Sequence, residues 1–257
     1  MKKILLISLL LLSSICFAAD YRTVILISVD ALHPDAVNSR NCPNIMSLAE
    51  KGYFSPDGTS ANPPKTLVAH TAMLTGLTPK KNGKTDNNWQ SGEPRVDKPT
   101  LLTSAKAKGY ETFLIYSKPR LGYLRNDATD REIFSKEDAV EKTSEIIDTS
   151  KNQFIFLHIS GLDNEGPVSG WMSPEYIDEF SFIDEQLGTL FKKIMRSPSA
   201  LVIITSDHAG HERIHGSGDP EDFKRPVAVY SSLQKIHDIP QAALKIDGLK
   251  SYIESKF

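Results

Sequence analysis

Residues Thr23 to Val29 read TVILISV, seven residues without a charge, five of them β-branched, running straight into Asp30. Four further runs share this character: ETFLIY from Glu111 to Tyr116, QFIFLHI from Gln153 to Ile159, ALVIIT from Ala200 to Thr205, and PVAVY over 226–230. Each is too short for a buried helix and lacks the polar–apolar alternation of a strand with one wet face. Such runs are strands covered on both sides, which implies a mostly parallel sheet. The segments between them carry helical patterns over 44–51, 66–75, 100–108, 136–149 and 174–195, and Gly52, Gly76 and Gly109 stand as stops after three of these. Strands alternating with helices predict an α/β fold, a doubly wound sheet with helices on both faces. No internal repeat and no linker interrupts the pattern.

Composition removes several classes of protein. Hydrophobic residues make up 40% and charged residues 24%, ordinary globular values that exclude a fibrous or disordered chain. Thirty basic against 32 acidic side chains leave a net charge of −2, with the basic residues scattered, so no nucleic-acid-binding surface is expected. Residues 1–18 read as an export signal: Lys2 and Lys3, an apolar stretch over 4–12, and a small-x-small end at Cys16, Phe17 and Ala18. The segment over 4–18 is short for a membrane span, which needs about 20 apolar residues, and it is diluted by Ser8, Ser13 and Ser14. The expectation is a removed leader and a single domain over 19–257, periplasmic or secreted, with no membrane attachment. Cys42 is then the one remaining thiol, so no intrachain disulfide is expected.

Ligands of doubly wound sheets bind beyond the carboxyl ends of the strands. Asp30 follows the first strand, Asp163 follows QFIFLHI after a short turn, and Ser206, Asp207 and His208 follow ALVIIT. A lone aspartate there is usually a turn former. Three carboxylates and an imidazole at one sheet edge form a ligand set for a divalent cation, with zinc favoured for mixed nitrogen and oxygen donors.

The chain resembles the alkaline phosphatase superfamily, and within it the nucleotide pyrophosphatase/phosphodiesterase-like branch. Asp30-Ala31-Leu32 followed by PNIMSLA from Pro43, Pro64-Lys65-Thr66 with His70 and Leu74-Thr75-Gly76, GKTDN from Gly83, the residues Gly166, Gly170, Trp171, Ser173, Pro174 and Tyr176, Ser206-Asp207-His208 and His215-Gly216 carry the likeness, in order, over nearly the whole chain after the leader. The resemblance implies that Thr66 is a nucleophile activated by a bound cation. It also implies that Asn87 holds a phosphoryl oxygen, that Asp30, Thr66, Asp207 and His208 bind one cation, and that Asp163, His215 and a histidine four residues after Asp163 bind another. Position 167 is a proline, so the second site is short of one ligand; Glu165, His158 and His211 are the residues that could compensate, His158 being the one expected in the core. Ala209 stands where the family pattern has glycine. By itself Thr66 also fits a plain helix cap, and a helix start also favours phosphate.

The implied function is an exported, metal-dependent phosphoester hydrolase of phosphodiesterase, pyrophosphatase or phosphatase type, acting on a small phosphate ester. The alternative is a degenerate family member that serves as an exported binding protein, a reading that Pro167 supports. Cys42-Pro43 lacks the arginine of the sulfatase motif, Ile45 standing there. Trp171 and Met172 are expected to pack, and Lys65, Lys80, Lys81 and Lys84 to be solvated.

Overall fold

The computed structural model describes residues 21–257, and the leader expected over 1–18 lies outside the described residues. The chain runs β1 (Thr23–Val29), α1 (Pro43–Ala49), β2 (Tyr53–Thr59), α2 (Thr66–Thr75), α3 (Pro79–Asn82), α4 (Leu101–Ala107), β3 (Glu111–Tyr116), β4 (Arg131–Phe134), α5 (Ala139–Ile146), β5 (Gln153–Ile159), α6 (Gly161–Ser169), α7 (Pro174–Ile194), β6 (Ala200–Thr205), β7 (Lys224–Ser231) and α8 (Leu249–Glu254). The seven strands form one sheet in the order β2-β7-β6-β1-β5-β3-β4. Strand β7 pairs antiparallel with both neighbours, and the other pairings are parallel.

Every residue of β1, β5 and β6 is buried, as expected for strands covered on both faces. Alternation along β1 sends Val24 and Leu26 into one apolar layer with α2, α4 and α8, and Ile25, Ile27 and Val29 into the other with α1, α5 and α7. This is the predicted doubly wound α/β architecture. Four of the five expected strands have the predicted ends, and the fifth extends two residues earlier and one later, to Lys224–Ser231.

The departures have local causes. Strands β2 (YFSPDGT) and β4 (REIF) are sheet edges, where polar residues and breakers are tolerated, and β2 carries a bulge between Asp57 and Gly58. Helix α6 (GLDNEGPVS) holds two glycines and a proline and reads as a loop in sequence. The helix expected over 136–149 is shorter, Ala139–Ile146. Gly76 ends α2 in the left-handed conformation with φ 66°, as predicted. Gly52 is no such stop: a Cβ there would lie 2.0 Å from the Val229 carbonyl oxygen, so close backbone approach demands the glycine.

Two buried groups yield predictions about the fold. Arg225 is fully buried and donates to the Thr59 carbonyl at 3.2 Å, Thr205 Oγ1 at 2.5 Å and the Leu244 carbonyl at 2.8 Å, tying β2, β6 and the C-terminal segment together. Arg225→Met removes three donors from buried acceptors and is expected to cost at least about 3 kcal/mol, read as a lower urea midpoint at unchanged slope. Burial pushes the Cys42 thiol up to about 12. Cys42 is therefore expected to resist alkylation near pH 8 in the native protein and to react once the chain is denatured; reaction in the native state would contradict the burial.

Candidate active site

Strands β6, β1 and β5 are neighbours, and their register sets Ser28 beside Thr205 and Val29 beside Ile159. Their carboxyl ends therefore deliver Asp30, the Ser206-Asp207-His208 segment and the start of α6 to one edge. Asp163 lies in the first turn of α6, which begins at Gly161 with no turn before it. Residues 24, 26, 28 and 30 share the sheet face covered by α2, and the start of α2 places Thr66 Oγ1 3.4 Å from Asp30 Oδ2. One layer below, His70 accepts from Ser28 Oγ at 2.8 Å through Nε2 and donates to the Thr66 carbonyl at 2.7 Å through Nδ1. Burial holds the His70 imidazole down at about 4, against the pull of Asp207, so it stays neutral.

Asp30, Asp207 and His208 are wholly buried, yet Asp30 Oδ1, Asp207 Oδ2 and His208 Nε2 have no hydrogen-bond partner. Buried polar atoms are almost always paired, so three orphans facing one another call for a cation. His208 Nε2 lies 3.3 Å from Asp207 Oδ2 and 3.5 Å from Asp30 Oδ1. Donors at zinc-like distances around a tetrahedral ion stand about 3.3 Å apart, and the trio fits that spacing. The other atom of each ligand is spoken for. His208 Nδ1 donates to the Ala209 carbonyl at 2.8 Å, leaving Nε2 bare. Asp207 Oδ1 accepts from the Ala31 N–H at 3.1 Å. Ala31 sits at φ 64°, a strained conformation for alanine, and its carbonyl is gripped by Tyr176 Oη at 2.7 Å and Trp171 Nε1 at 3.2 Å. Trp171 thus packs, as expected, and its role is to brace the turn after Asp30.

The electrostatics agree with this geometry. Burial pushes the Asp30 carboxyl upward, and Lys118, with His158 and His208, more than reverses it, holding Asp30 well below the usual range. Burial, and then the neighbouring Asp30, raise Asp207. Burial works to lower His208, but Asp207, Asp30 and Asp163 outweigh it and raise the imidazole. A pocket that stabilises imidazolium attracts any other cation.

The second expected ligand set is only partly assembled. Asp163 Oδ1 lies 3.2 Å from His215 Nε2 and 3.9 Å from His208 Nε2, and the His208 and His215 rings stack at 4.5 Å. Pro167 lies on α6 one turn beyond Asp163, exposed and without a donor atom. None of the three candidate substitutes fills its place. The Glu165 carboxylate accepts from Ser169 Oγ, His211 is held by Asp222 at 2.8 Å, and His158 donates through Nε2 to Asp30 Oδ2 at 3.0 Å while Ser117 Oγ occupies its Nδ1. A lysine engages Asp163 instead. Lys118 Nζ contacts Asp163 Oδ2, lies 2.6 Å from Asp30 Oδ2 and donates to Thr66 Oγ1 at 3.3 Å.

Sequence reasoning missed Lys118, although the rule that nominated the aspartates applies to it: it lies two residues beyond the carboxyl end of β3. The helix-cap reading of Thr66 is corrected. Lys65 holds the cap position, Thr66 is the first helical residue, and the N–H of Leu67 is capped by Asn87 Oδ1 at 2.7 Å. That leaves Asn87 Nδ2 without a partner among the described residues, beside the helix start. Lys84 is only 12% exposed at its side chain and is not simply solvated: it donates to Asp86 Oδ1 at 3.1 Å and the Asn88 carbonyl at 2.5 Å, pinning the loop that carries Asn87. Ala209 has no positive φ, so the backbone there makes no demand for the glycine of the family pattern.

Known proteins share this fold. An uncharacterized pyrophosphatase/phosphodiesterase of Schizosaccharomyces pombe is 24% identical over 217 residues, covering 72% of this chain and 44% of that protein. The chain spans less than half the length of the curated relatives it matches. Murine ectonucleotide pyrophosphatase/phosphodiesterase 5 superposes with a TM-score of 0.60 at 18% identity, over 73% of this chain and 57% of that one; an inactive threonine-to-alanine form of it has been solved with AMP. The C-terminal periplasmic domain of EptC from Escherichia coli, in complex with Zn, superposes with a TM-score of 0.62 at 16% identity, over 90% and 80% of the two chains. The fold is that of the alkaline phosphatase superfamily. Residues 24–223, from the first residues of β1 to the segment that positions Asp222, match one family throughout, and the chain belongs to the type I phosphodiesterase / nucleotide pyrophosphatase family.

Proposed function

We infer that the protein is a metal-dependent phosphoester hydrolase that works through a phosphorylated threonine at Thr66. The observation that carries this reading is the convergence of unpartnered Asp30 Oδ1, Asp207 Oδ2 and His208 Nε2 beside the Thr66 hydroxyl at the start of α2. The inactive threonine-to-alanine form of the murine relative and the zinc in the bacterial one lend support. A cation held by Asp30, Asp207 and His208, zinc by its donor set, would supply positive charge that lowers the pKa of the threonine hydroxyl and offsets charge on the phosphoryl group.

The chain's own groups do the rest. Thr66 Oγ1 attacks phosphorus and its P–O bond forms as the bond to the leaving alcohol breaks; the hydroxyl proton leaves to water. The leaving oxygen takes a proton from water. Asn87 Nδ2 and the free N–H groups at the start of α2 bind the equatorial oxygens. Water then attacks the phosphothreonine, releasing the phosphate product and restoring the hydroxyl. Pinning by Lys84 and the bond to Leu67 keep Asn87 oriented, so little reorganisation is needed.

On the leader motif, we place the protein outside the cytoplasm, as a single domain over residues 19–257. Among the described residues no helix is long and apolar enough to cross a membrane. The test is hydrolysis of nitrophenyl phosphate, bis-nitrophenyl phosphate and a nucleoside triphosphate by zinc-loaded protein. Turnover of at least one, lost with chelator and restored with zinc, is expected. No turnover of any ester by folded, zinc-loaded protein would favour a binding protein that keeps the fold.

A further inference from the structure

We propose that the site is built for one divalent cation, and that the Lys118 ammonium is a fixed cation standing in for the second. The proposal rests on the phosphoester-hydrolase reading for its chemistry and on the side chains alone for its geometry. Lys118 reaches in from beyond β3 with its side chain only 13% exposed and touches three oxygens from three elements: Asp30 Oδ2 after β1, Asp163 Oδ2 on α6, and Thr66 Oγ1 at the start of α2. Asp163 belongs to the ligand set of the second cation, and Asp30 and Thr66 to that of the first, so the ammonium lies between the two sets. An ammonium with three donors already bridges them.

Three observations converge on this count. First, the two possible ligand triads, Asp30 with Asp207 and His208, and Asp163 with His208 and His215, share His208. One imidazole nitrogen binds one cation, so both triads cannot be complete together. With His208 in the first, the second position keeps Asp163 Oδ1 and His215, two protein donors where zinc sites use three or four. Second, the side chain that would restore the count is missing. Position 167 is one turn beyond Asp163 on the same face of α6, the right place for a ligand, and a proline fills it. Glu165, His158 and His211 are each engaged elsewhere. Third, the charges balance: Lys118 cancels one of the three carboxylates, and a single divalent cation cancels the other two.

The missing ligand at Pro167 and the presence of Lys118 therefore point to the same count: one cation site and one fixed ammonium. Lys118 is assigned to hold charge at Thr66 Oγ1 and at the phosphoryl group, in the place where a metal ion would otherwise act. Unlike an ion it cannot dissociate, so that half of the site survives chelation.

The test is zinc stoichiometry by native mass spectrometry, with competition titration for affinity, on wild type, Pro167→His, Lys118→Met and the double variant Lys118→Met/Pro167→His. Wild type is expected to bind one zinc, and each single variant one. The double variant, with the ammonium removed and the histidine supplied, is expected to bind two. Lys118→Met with its zinc retained is expected to lose turnover by about a hundredfold or more, and Lys118→Arg to recover part of it. Wild type binding two zinc ions with similar affinity would overturn the proposal while leaving the hydrolase reading intact. One zinc in wild type and two in the double variant, without turnover, would uphold the cation count and overturn the hydrolase reading. Should Lys118→Met fail to fold, the wild-type stoichiometry decides alone.

Discussion

Thr66→Ala is expected to reduce phosphoester hydrolysis at least about a thousandfold, because loss of a nucleophile removes the whole covalent route and not one stabilising contact. The fold should survive. Thr66 is buried, but its hydroxyl makes only a 3.4 Å hydrogen bond to Asp30 and receives one from Lys118 at 3.3 Å, and the cap of α2 comes from Asn87. The stability cost is therefore about 1 kcal/mol, and zinc should remain on Asp30, Asp207 and His208. Thr66→Ser separates the roles: it keeps the hydroxyl and loses a methyl, and should retain much more activity than alanine. An alanine variant that turns over like wild type would reduce Thr66 to a packing residue.

The second large effect concerns Asp207. Its two oxygens have different duties, Oδ1 accepting the Ala31 N–H and Oδ2 facing the other unpartnered donors. Asp207→Asn can keep the first duty, with the amide oxygen on Ala31, and then presents an NH2 group, which cannot ligate, to the cation. Zinc affinity should fall by more than the 10–100-fold typical of losing a supporting partner, and hydrolysis should fall with it. Asp207→Ala loses both duties and should in addition cost about 1–3 kcal/mol, since a buried N–H beside the strained Ala31 is left unpaired. Native mass spectrometry and thermal unfolding read the two quantities separately. Unchanged zinc content in Asp207→Asn would remove Asp207 from the ligand set.

How far the sequence reveals this protein depends on what each signal measures. Continuous apolar runs report double-sided burial, so β1, β3, β5 and β6 are legible to the residue. Edge strands have no such burial, and β2 and β4 escape notice. The carboxylates at the strand ends are legible because strands that are neighbours in a parallel sheet release their loops at the same edge, and β6, β1 and β5 are neighbours. Lys118 is at an equivalent point after β3. It escapes because the pattern sought was a set of metal ligands, and an ammonium is a competitor for such a site, not a member of it. The engagement of Glu165, His211 and His158 depends on side-chain directions that no one-dimensional pattern carries. Nor does sequence spacing tell that α6 persists through Gly166 and Pro167, which is what places position 167 over Asp163.

The central claim is a covalent intermediate on Thr66, and the stereochemical course at phosphorus tests it most directly. With zinc-loaded protein and a chiral phosphorothioate diester in 18O-labelled water, two successive in-line displacements, first by Thr66 and then by water, predict net retention of configuration. Net inversion would mean that water attacks the substrate directly, and would contradict the account.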